Sequence, residues 1–448
     1  MPRHLLLLLV GGGLLLGAVP AGRALSQTRS APDNSTRTGT RPPNFIVILG
    51  EGHGWSSLSV PMDPASPDAV NRDVPLKNFA RLANNGMRFT RFYVAAPRCT
   101  PSRAALLTGK SPARLHMTFV NEGRRDNNSG STKLLPPQTI TELPDSEKTV
   151  ANLLQTAGYA TAHFGKWHVG RVDPTRHGFT VSDGPNNNGG PDNVADPSRV
   201  QTPRTAGLAV GFVTAQAKAG KPFYLQLDQY ASRDESAQED MDKALGQLMQ
   251  TVADWHIAGN TYFLYTTDHG SPGRNLPLSG GKGLLLEGGI RVPLLISGPN
   301  IAPNSISRVP ATEMDLLPTI ANLAGIPALT AEREGGSLIP LLRAGGSGVV
   351  RRAREPLFFH YPHYDHDNGG PASAIMLGDW KLIRYYETNT VQLYDVVKDP
   401  AERRDLREEQ PKITADLDKR LSDYLHAVGA QQATVNAAYH YGFSEKTK

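Results

Sequence analysis

The sequence predicts an α/β fold in which a mostly parallel central sheet is flanked by helices, followed by a smaller C-terminal α+β domain built on an antiparallel sheet. Three observations predict it. From about residue 44 to residue 345, short and nearly continuous apolar runs alternate with helical patterns, as expected of strands covered on both faces by crossover helices. After about residue 345 the apolar segments shorten and follow one another closely, as antiparallel strands joined by tight turns do. The 448 residues, 39% apolar and 20% charged, give ample chain for a large core and exclude a disordered, collagenous or heptad-built protein. With 44 Gly and 35 Pro, the body is expected to be rich in loops.

The chain begins MPRHLLLLLVGGGLLLGAVPAGRALS: basic residues, an apolar run, then small residues, the layout of an export signal over residues 1–26. The run from Leu5 to Val19 is short and Gly-rich for a bilayer span, and no other stretch is long and apolar enough for stable membrane insertion. An exported protein, periplasmic or secreted, is therefore expected. Residues 27–43, polar and rich in Pro, Ser and Thr, read as a flexible linker. Asn34-Ser35-Thr36 and Asn127-Asn128-Ser129 fit the glycosylation sequon, which matters in a eukaryotic secretory host.

Within residues 44–345, NFIVIL (44–49) reads as a buried strand. PLKNFARLANNG (75–86) reads as a helix with a glycine stop, MRFTRFYV (87–94) as a strand, and TVANLLQTAG (149–158) as a helix ending on Gly. YATAHFG (159–165), FYLQLD (223–228), TYFLYTT (261–267) and VPLLIS (292–297) are further strands, with helical stretches near 205–219, 236–258 and 313–325. Residues 346–448 carry four short strand candidates, EPLFFHY, ASAIMLG, WKLIRYY and VQLYDV, and then a helix near 411–428. The basic run Arg351-Arg352-Ala353-Arg354 between the two parts reads as a solvated linker.

Function begins at the strand ends, because ligand groups in open α/β sheets gather just beyond the carboxyl ends of strands. NFIVIL leads into Gly50-Glu51-Gly52-His53-Gly54, YATAHFG into Lys166-Trp167-His168, and TYFLYTT into Asp268-His269-Gly270, with Gly280-Gly281-Lys282-Gly283 soon after. Carboxylates, imidazoles and lysines collected on one sheet edge favour a site for a metal and an oxyanion. Lys+Arg of 47 against Asp+Glu of 42 is a mild excess that suits an anionic small ligand or polyanion. It suits dedicated duplex DNA binding less well, which usually shows basic clusters, so no nucleic acid partner is expected.

The single cysteine, Cys99, cannot form an intramolecular disulfide, although exported chains commonly use cysteines in pairs. It lies in Ala96-Pro97-Arg98-Cys99-Thr100-Pro101-Ser102-Arg103-Ala104-Ala105-Leu106-Leu107-Thr108-Gly109-Lys110. Pro at an early position and Gly at the end mark a helix there. That places Cys99 at the positive end of the helix with Arg103 one turn on, where an anion is favoured. Residue chemistry alone leaves a buried filler and a low-pKa thiolate nucleophile both open.

Cys-Thr-Pro-Ser-Arg followed by Leu-Thr-Gly resembles the signature of the formylglycine-dependent sulfatases, within the alkaline-phosphatase-like superfamily. The resemblance extends through Gly165-Lys166-Trp167-His168, Thr267-Asp268-His269-Gly270, Gly280-Gly281-Lys282-Gly283 and Glu287-Gly288-Gly289-Ile290-Arg291-Val292-Pro293. It continues into Gly378-Asp379-Trp380-Lys381-Leu382-Ile383, Leu393-Tyr394-Asp395 and Asp399-Pro400, in the family's order. It implies that a formylglycine-generating maturation enzyme oxidises Cys99 to Cα-formylglycine, present as the hydrate. One hydroxyl of the gem-diol attacks sulfur and displaces the substrate alcohol, and loss of the second hydroxyl's proton then expels sulfate, a covalent route in two steps. By the same resemblance, Lys166 and Lys282 bind sulfate oxygens, Arg103 holds the formylglycine hydroxyl and the local anion, and His168 takes the proton. Glu51, Asp268, His269 and residue 99 hold one hard divalent cation, Ca²⁺ or Mg²⁺.

Two departures stand out. Glu51-Gly52 replaces the family's usual Asp-Asp, leaving one carboxylate fewer, so weaker binding of a hard cation is expected, with Asp at position 52 restoring it. His53 or water is available to complete the shell, though His53 is not expected to be a ligand. The Pro-His pair that often follows the strand matching FYLQLD is replaced by Asp228-Gln229-Tyr230-Ala231-Ser232-Arg233-Asp234, so the leaving-group acid is unassigned. His360, His363 and His366 in HYPHYDH are expected in a polar loop rimming the pocket, and Trp167 and Trp380 in packing roles. The expected activity is hydrolysis of a sulfate monoester on a small molecule or, more specifically, a carbohydrate. The alternatives are a phosphate or phosphonate ester hydrolase of the same superfamily, and a degenerate member that binds sulfated glycans without turnover.

Overall fold

Strand β1 (Asn44–Gly50) shows why the apolar runs were informative. All seven of its residues are buried: Phe45, Val47 and Leu49 enter one core layer and Ile46 and Ile48 the other. Side chains alternate across a strand, so a run apolar at every position can only be satisfied by cover on both faces. The structure, a computed structural model, describes residues 41–120, 132–195, 197–230, 235–327, 332–365 and 370–439. The export signal, most of the 27–43 linker, both sequons, residues 231–234 and His366 lie outside the described residues.

In chain order, β1 is followed by α1 (Lys77–Asn84), β2 (Met87–Tyr93), α2 (Cys99–Thr108), α3 (Pro112–Leu115), β3 (Leu134–Leu135), α4 (Val150–Thr156), β4 (Ala160–Gly165) and β5 (Val181–Ser182). Next come α5 (Pro197–Ala219), β6 (Phe223–Asp228), α6 (Glu235–Asp254), β7 (Thr261–Thr267), α7 (Glu287–Ile290), β8 (Arg291–Ser297), β9 (Ser305–Ser307), β10 (Ala311–Thr312), α8 (Leu316–Leu323) and α9 (Ile339–Arg343). The last part holds β11 (Leu357–Tyr361), β12 (Ala372–Leu377), β13 (Trp380–Tyr385), β14 (Thr390–Asp395), α10 (Pro411–Ala427) and β15 (Thr434–Val435). Helix α5 starts earlier than the 205–219 pattern indicated and carries Pro203 in its second turn. A proline there reads as a break in sequence, and the helix absorbs it near its start.

The central sheet runs β10-β2-β8-β7-β1-β6-β4-β5, with β9 also on β2. β7, β1, β6, β4 and β5 are mutually parallel, as expected. The strand expected at 292–297 exists as β8 but runs antiparallel to both of its neighbours, β7 and β2. This reversal matters for the site, because the chain that leaves the carboxyl end of β7 re-enters the sheet from the same edge. The whole 268–290 segment, Lys282 included, is thereby held at that edge.

β11 to β14 form the separate antiparallel sheet in the order β11-β12-β13-β14. Its faces divide by the two-residue period: Phe358, Ile375, Leu382 and Leu393 pack on Leu417, Leu421 and Tyr424 of α10, while Phe359, Ala374, Met376 and Ile383 join the main core. From Arg41 onward the two sheets belong to one compact unit. Arg352, read as part of a solvated linker, is instead half-buried and ion-paired with Asp315 at 2.6 Å. No described helix is long and apolar enough to cross a membrane.

Candidate active site

Parallel neighbours deliver their carboxyl ends to one edge, and so Glu51 after β1, Lys166 after β4, Asp228 ending β6 and Asp268 after β7 come together there. The fit is close. Gly165 sits at φ 101, and a Cβ on it would meet the Asp228 carbonyl oxygen at 1.9 Å, so only glycine lets β4 run this near to β6. Helix α2 starts on Cys99, the first residue after an extended Arg98, and ends on Gly109 in the left-handed region, as its sequence indicated. Its first turn is tied to the 166–168 segment by a hydrogen bond from the Thr100 hydroxyl to the His168 carbonyl (2.7 Å).

The Cys99 sulfur is the centre of the site. Lys166 Nζ lies 3.5 Å from it, His269 Nε2 3.2 Å and Glu51 Oε1 3.8 Å. Lys166 also pairs with Glu51 at 2.5 Å. Arg103 reaches the site through carboxylates: its guanidinium contacts Asp268 Oδ2 at 3.0 Å and Asp228 Oδ2 at 2.9 Å, and donates to the Lys166 carbonyl at 2.5 Å. Asp268 Oδ1 accepts the backbone N–H of Gly52 (3.1 Å). Lys282 lines the cleft above, together with Glu51 and His269. The sequence-predicted residues Glu51, Cys99, Arg103, Lys166, Asp268 and His269 thus form one connected network, with Lys282 on its wall and His168 tied to it through Thr100.

The electrostatics follow from that packing. Burial opposes ionisation of the Cys99 thiol, but Lys166 and His269 outweigh it and hold its pKa well below the ordinary thiol value. Burial likewise opposes the charge on Glu51, yet Lys166, Arg103 and Lys282 carry its pKa down to about 2. Asp268 is held far below the usual carboxylate range against its burial by His269, Arg103 and Lys166. Lys166 keeps its proton more firmly than a free lysine, because Cys99 and Glu51 overcome the cost of burying it.

His53 behaves differently. It accompanies the cluster, but its Nδ1 is 2.6 Å from the Tyr265 hydroxyl, and burial pushes its pKa from 6.5 down to about 4. Between those values the unfolded chain takes up a proton that the folded chain refuses. The neutral ring therefore contributes stability that is complete above pH 6.5 and is lost as pH falls towards 4, on the order of 3 kcal/mol. His53→Gln is expected to flatten that part of the stability profile, read as urea midpoints of chelator-treated protein between pH 7 and pH 4. Equal slopes in the two proteins would show that His53 is protonated in the fold.

One ligand atom each from Glu51, Cys99, Asp268 and His269 lies within 4.8 Å of the others. Two carboxylates and an imidazole at that spacing fit a divalent cation. The cleft over this floor has a volume of about 800 Å³, and Asn188, Asn193, Gln238 and Arg274 contribute to its walls. Sequence reasoning missed two groups. Asp228 braces Arg103 and accepts from Gln226 Nε2 (3.1 Å); its place at a strand end was the available signal. Glu313 lies buried beneath α2, accepting Ala95 N–H (2.6 Å) and Ser102 Oγ (2.7 Å), and nothing in its sequence neighbourhood marks it. The expected rim loop is corrected: His360 is buried between Ser373 and the Gln431 carbonyl, and His363 is buried against Thr118. Trp167 packs edge-on to His163 and Phe179, as expected.

A cysteine at a helix start, two lysines, and a carboxylate–imidazole set at the mouth of a mostly parallel sheet define a centre for a tetrahedral oxyanion ester. The chain belongs to the sulfatase family: the profile described as Sulfatase matches residues 43–233 and 227–326, and that of N-sulphoglucosamine sulphohydrolase, C-terminal, matches 281–429. It is similar to N-acetylgalactosamine-6-sulfatase of Sus scrofa, 30% identical over 407 residues that cover 78% of this chain and 73% of that one. It is also similar to arylsulfatase A of Homo sapiens, 29% identical over 454 residues covering 87% and 84%. Among solved structures, Ps i-CgsB in complex with k-i-k-neocarrahexaose shares the fold, with a TM-score of 0.70, 21% identity, and 86% and 93% of the two chains covered. The protein is a sulfuric ester hydrolase.

Proposed function

We propose that this protein is an exported enzyme that removes sulfate from a sulfated carbohydrate, using a formylglycine made from Cys99 by a maturation enzyme and one divalent cation. The observation that carries the reading is the packing of Lys166, His269 and Glu51 around the Cys99 sulfur on the floor of the cleft. The formylglycine hydrate supplies a gem-diol nucleophile, and the cation, held by Glu51, Asp268, His269 and residue 99, supplies positive charge beside it.

The chain's own groups do the rest. Lys166, fixed by Glu51, and Lys282, on the cleft wall, bind two sulfate oxygens and offset the charge that grows on them. Arg103, locked between Asp228 and Asp268, keeps Asp268 oriented and adds positive charge beneath residue 99. His168, carried at φ 55 on the segment bound to Thr100, takes the proton whose removal releases sulfate. Asn188, Asn193 and Gln238 offer amide donors and acceptors suited to sugar hydroxyls. The carbohydrate relatives and neighbours named above support that substrate class.

Purified, matured protein is expected to turn over an aryl sulfate faster than the matching aryl phosphate. Faster phosphate turnover, or tight binding of a sulfated sugar with no sulfate released, would overturn the reading. Lys282→Ala is expected to lower kcat/KM for the aryl sulfate roughly 100-fold or more while leaving the melting temperature unchanged. An unaffected kcat/KM would remove Lys282 from the sulfate site.

A further inference from the structure

One fully buried carboxyl beside the site has no part in sulfate binding or proton transfer. Glu313 follows Thr312, the last residue of β10, and its side chain lies beneath α2, 0% exposed. Oε1 accepts the Ala95 N–H at 2.6 Å, and Oε2 lies 2.7 Å from Ser102 Oγ. Ala95 stands just beyond β2 and Ser102 in the first turn of α2. A single carboxyl therefore closes a bracket across the segment that carries Cys99. Met314 adds an apolar contact, packing with Ala95 and Ala105. The base of this arm is itself fixed: Asp315 accepts the N–H groups of Thr312 (2.8 Å) and Gly336 (2.7 Å) and pairs with Arg352.

Asp315 also shows what an ionised carboxyl is given in this part of the core, two N–H donors and a guanidinium. Glu313 has one N–H, one hydroxyl and, among the described residues, no ion-pair partner. Arg103, one residue past Ser102, is committed to Asp228 and Asp268. A charge at residue 313 would be buried uncompensated and would bring a third carboxylate to one guanidinium, a cost that a carboxyl avoids by keeping its proton. Burial and Asp268 accordingly hold its pKa well above the ordinary carboxyl value, against the pull of both hydrogen bonds and of Arg103. The neutral form suits its partners. Oε1 stays the acceptor for Ala95, and a serine hydroxyl accepts as readily as it donates.

We propose that Glu313, kept as a neutral acid, is a positioning residue that ties Ala95 to Ser102 and so holds residue 99 against Lys166 and His269 without drawing charge from Arg103. A nucleophile loses much of its advantage when it shifts by a fraction of its reacting distance, so a clamp on its segment acts on turnover rather than on substrate binding. The inference rests on the reading of residue 99 as the reaction centre.

For the test, matured full-length protein is assayed on an aryl sulfate, with activity divided by the aldehyde content of the residue 99 peptide. Glu313→Ala is expected to lower kcat roughly 100-fold and to leave KM within about twofold, because Lys166 and Lys282 bind sulfate from other segments. Glu313→Gln keeps an acceptor for Ala95 and offers an amide to Ser102, and is expected to retain kcat within about threefold. Ser102→Ala cuts the same tie from the helix side and is expected to lower kcat about tenfold, with no further loss when Glu313→Gln is added. Infrared difference spectra between the wild type and Glu313→Gln, taken at pH 7 without substrate, are expected to show the carbonyl stretch of a protonated carboxyl. A wild type without turnover fails the sulfatase reading alone, and the infrared band still decides for or against a neutral Glu313. A carboxylate band in its place, Glu313→Gln as slow as Glu313→Ala, or wild-type kcat in Glu313→Ala or Ser102→Ala would each overturn the proposal.

Discussion

Cys99→Ser is expected to lower kcat for sulfate ester hydrolysis by about 10,000-fold or more, with no loss of fold. Serine matches cysteine in size and keeps an oxygen at the start of α2, where Lys166 and His269 converge. Polarity and position are thus preserved, and only the capacity to become an aldehyde is removed. A serine hydroxyl can attack sulfur once, but its sulfate ester has no neighbouring hydroxyl whose ionisation would expel sulfate. The variant should therefore retain sulfate as a mass adduct on the residue 99 peptide, while the matured protein shows an aldehyde mass there. The competing possibility is that Cys99 acts as a thiolate, and its depressed pKa suits that role on electrostatic grounds alone. Peptide mass spectrometry separates the two: full activity from protein whose residue 99 is an intact thiol would end the formylglycine assignment.

How much of this was legible in the sequence depends on range. Strand ends can be read locally, because an apolar run stops where the sheet stops. That is why Glu51, Lys166 and Asp268 could be placed on one edge before their neighbours were known. Pairing is a long-range property. Nothing within VPLLIS shows that β8 runs backwards, yet this reversal returns the Lys282 segment to the site. Burial of polar groups is also non-local. His360 and His363 look like a surface cluster because their spacing is visible while their partners, Gln431 and Thr118, are distant in sequence. The same holds for Arg352, whose partner Asp315 sits on another segment.

Lys381→Met is expected to destabilise the fold by about 3–5 kcal/mol and to raise KM for sulfate esters as well. The GDWKLI segment that carries Lys381 was recognised through resemblance, without a role. The structure gives it one. Lys381 Nζ is fully buried, 2.9 Å from Glu287 and 2.6 Å from Glu402, and donates to the Leu285 carbonyl (3.0 Å). Glu402 in turn accepts the Glu287 N–H (2.6 Å) and the Ser279 hydroxyl (3.1 Å). Lys381 of β13 and Glu402, just beyond β14, therefore grip the Lys282 loop on both sides of the lysine, at 279 and at 285–287. Methionine keeps most of the volume of the stem, so the loss is chiefly electrostatic: Glu287 and Glu402 are left facing each other in a site with little water to screen them. Removing one of those charges as well, with Glu402→Gln in the Lys381→Met background, should recover part of the stability. It should not restore KM, because the tie to Leu285 is still missing. Urea unfolding and KM for an aryl sulfate measure the two effects separately. A destabilised Lys381→Met protein with normal KM would mean that the loop holds Lys282 in place unaided, and that the C-terminal sheet stabilises the enzyme without shaping its site.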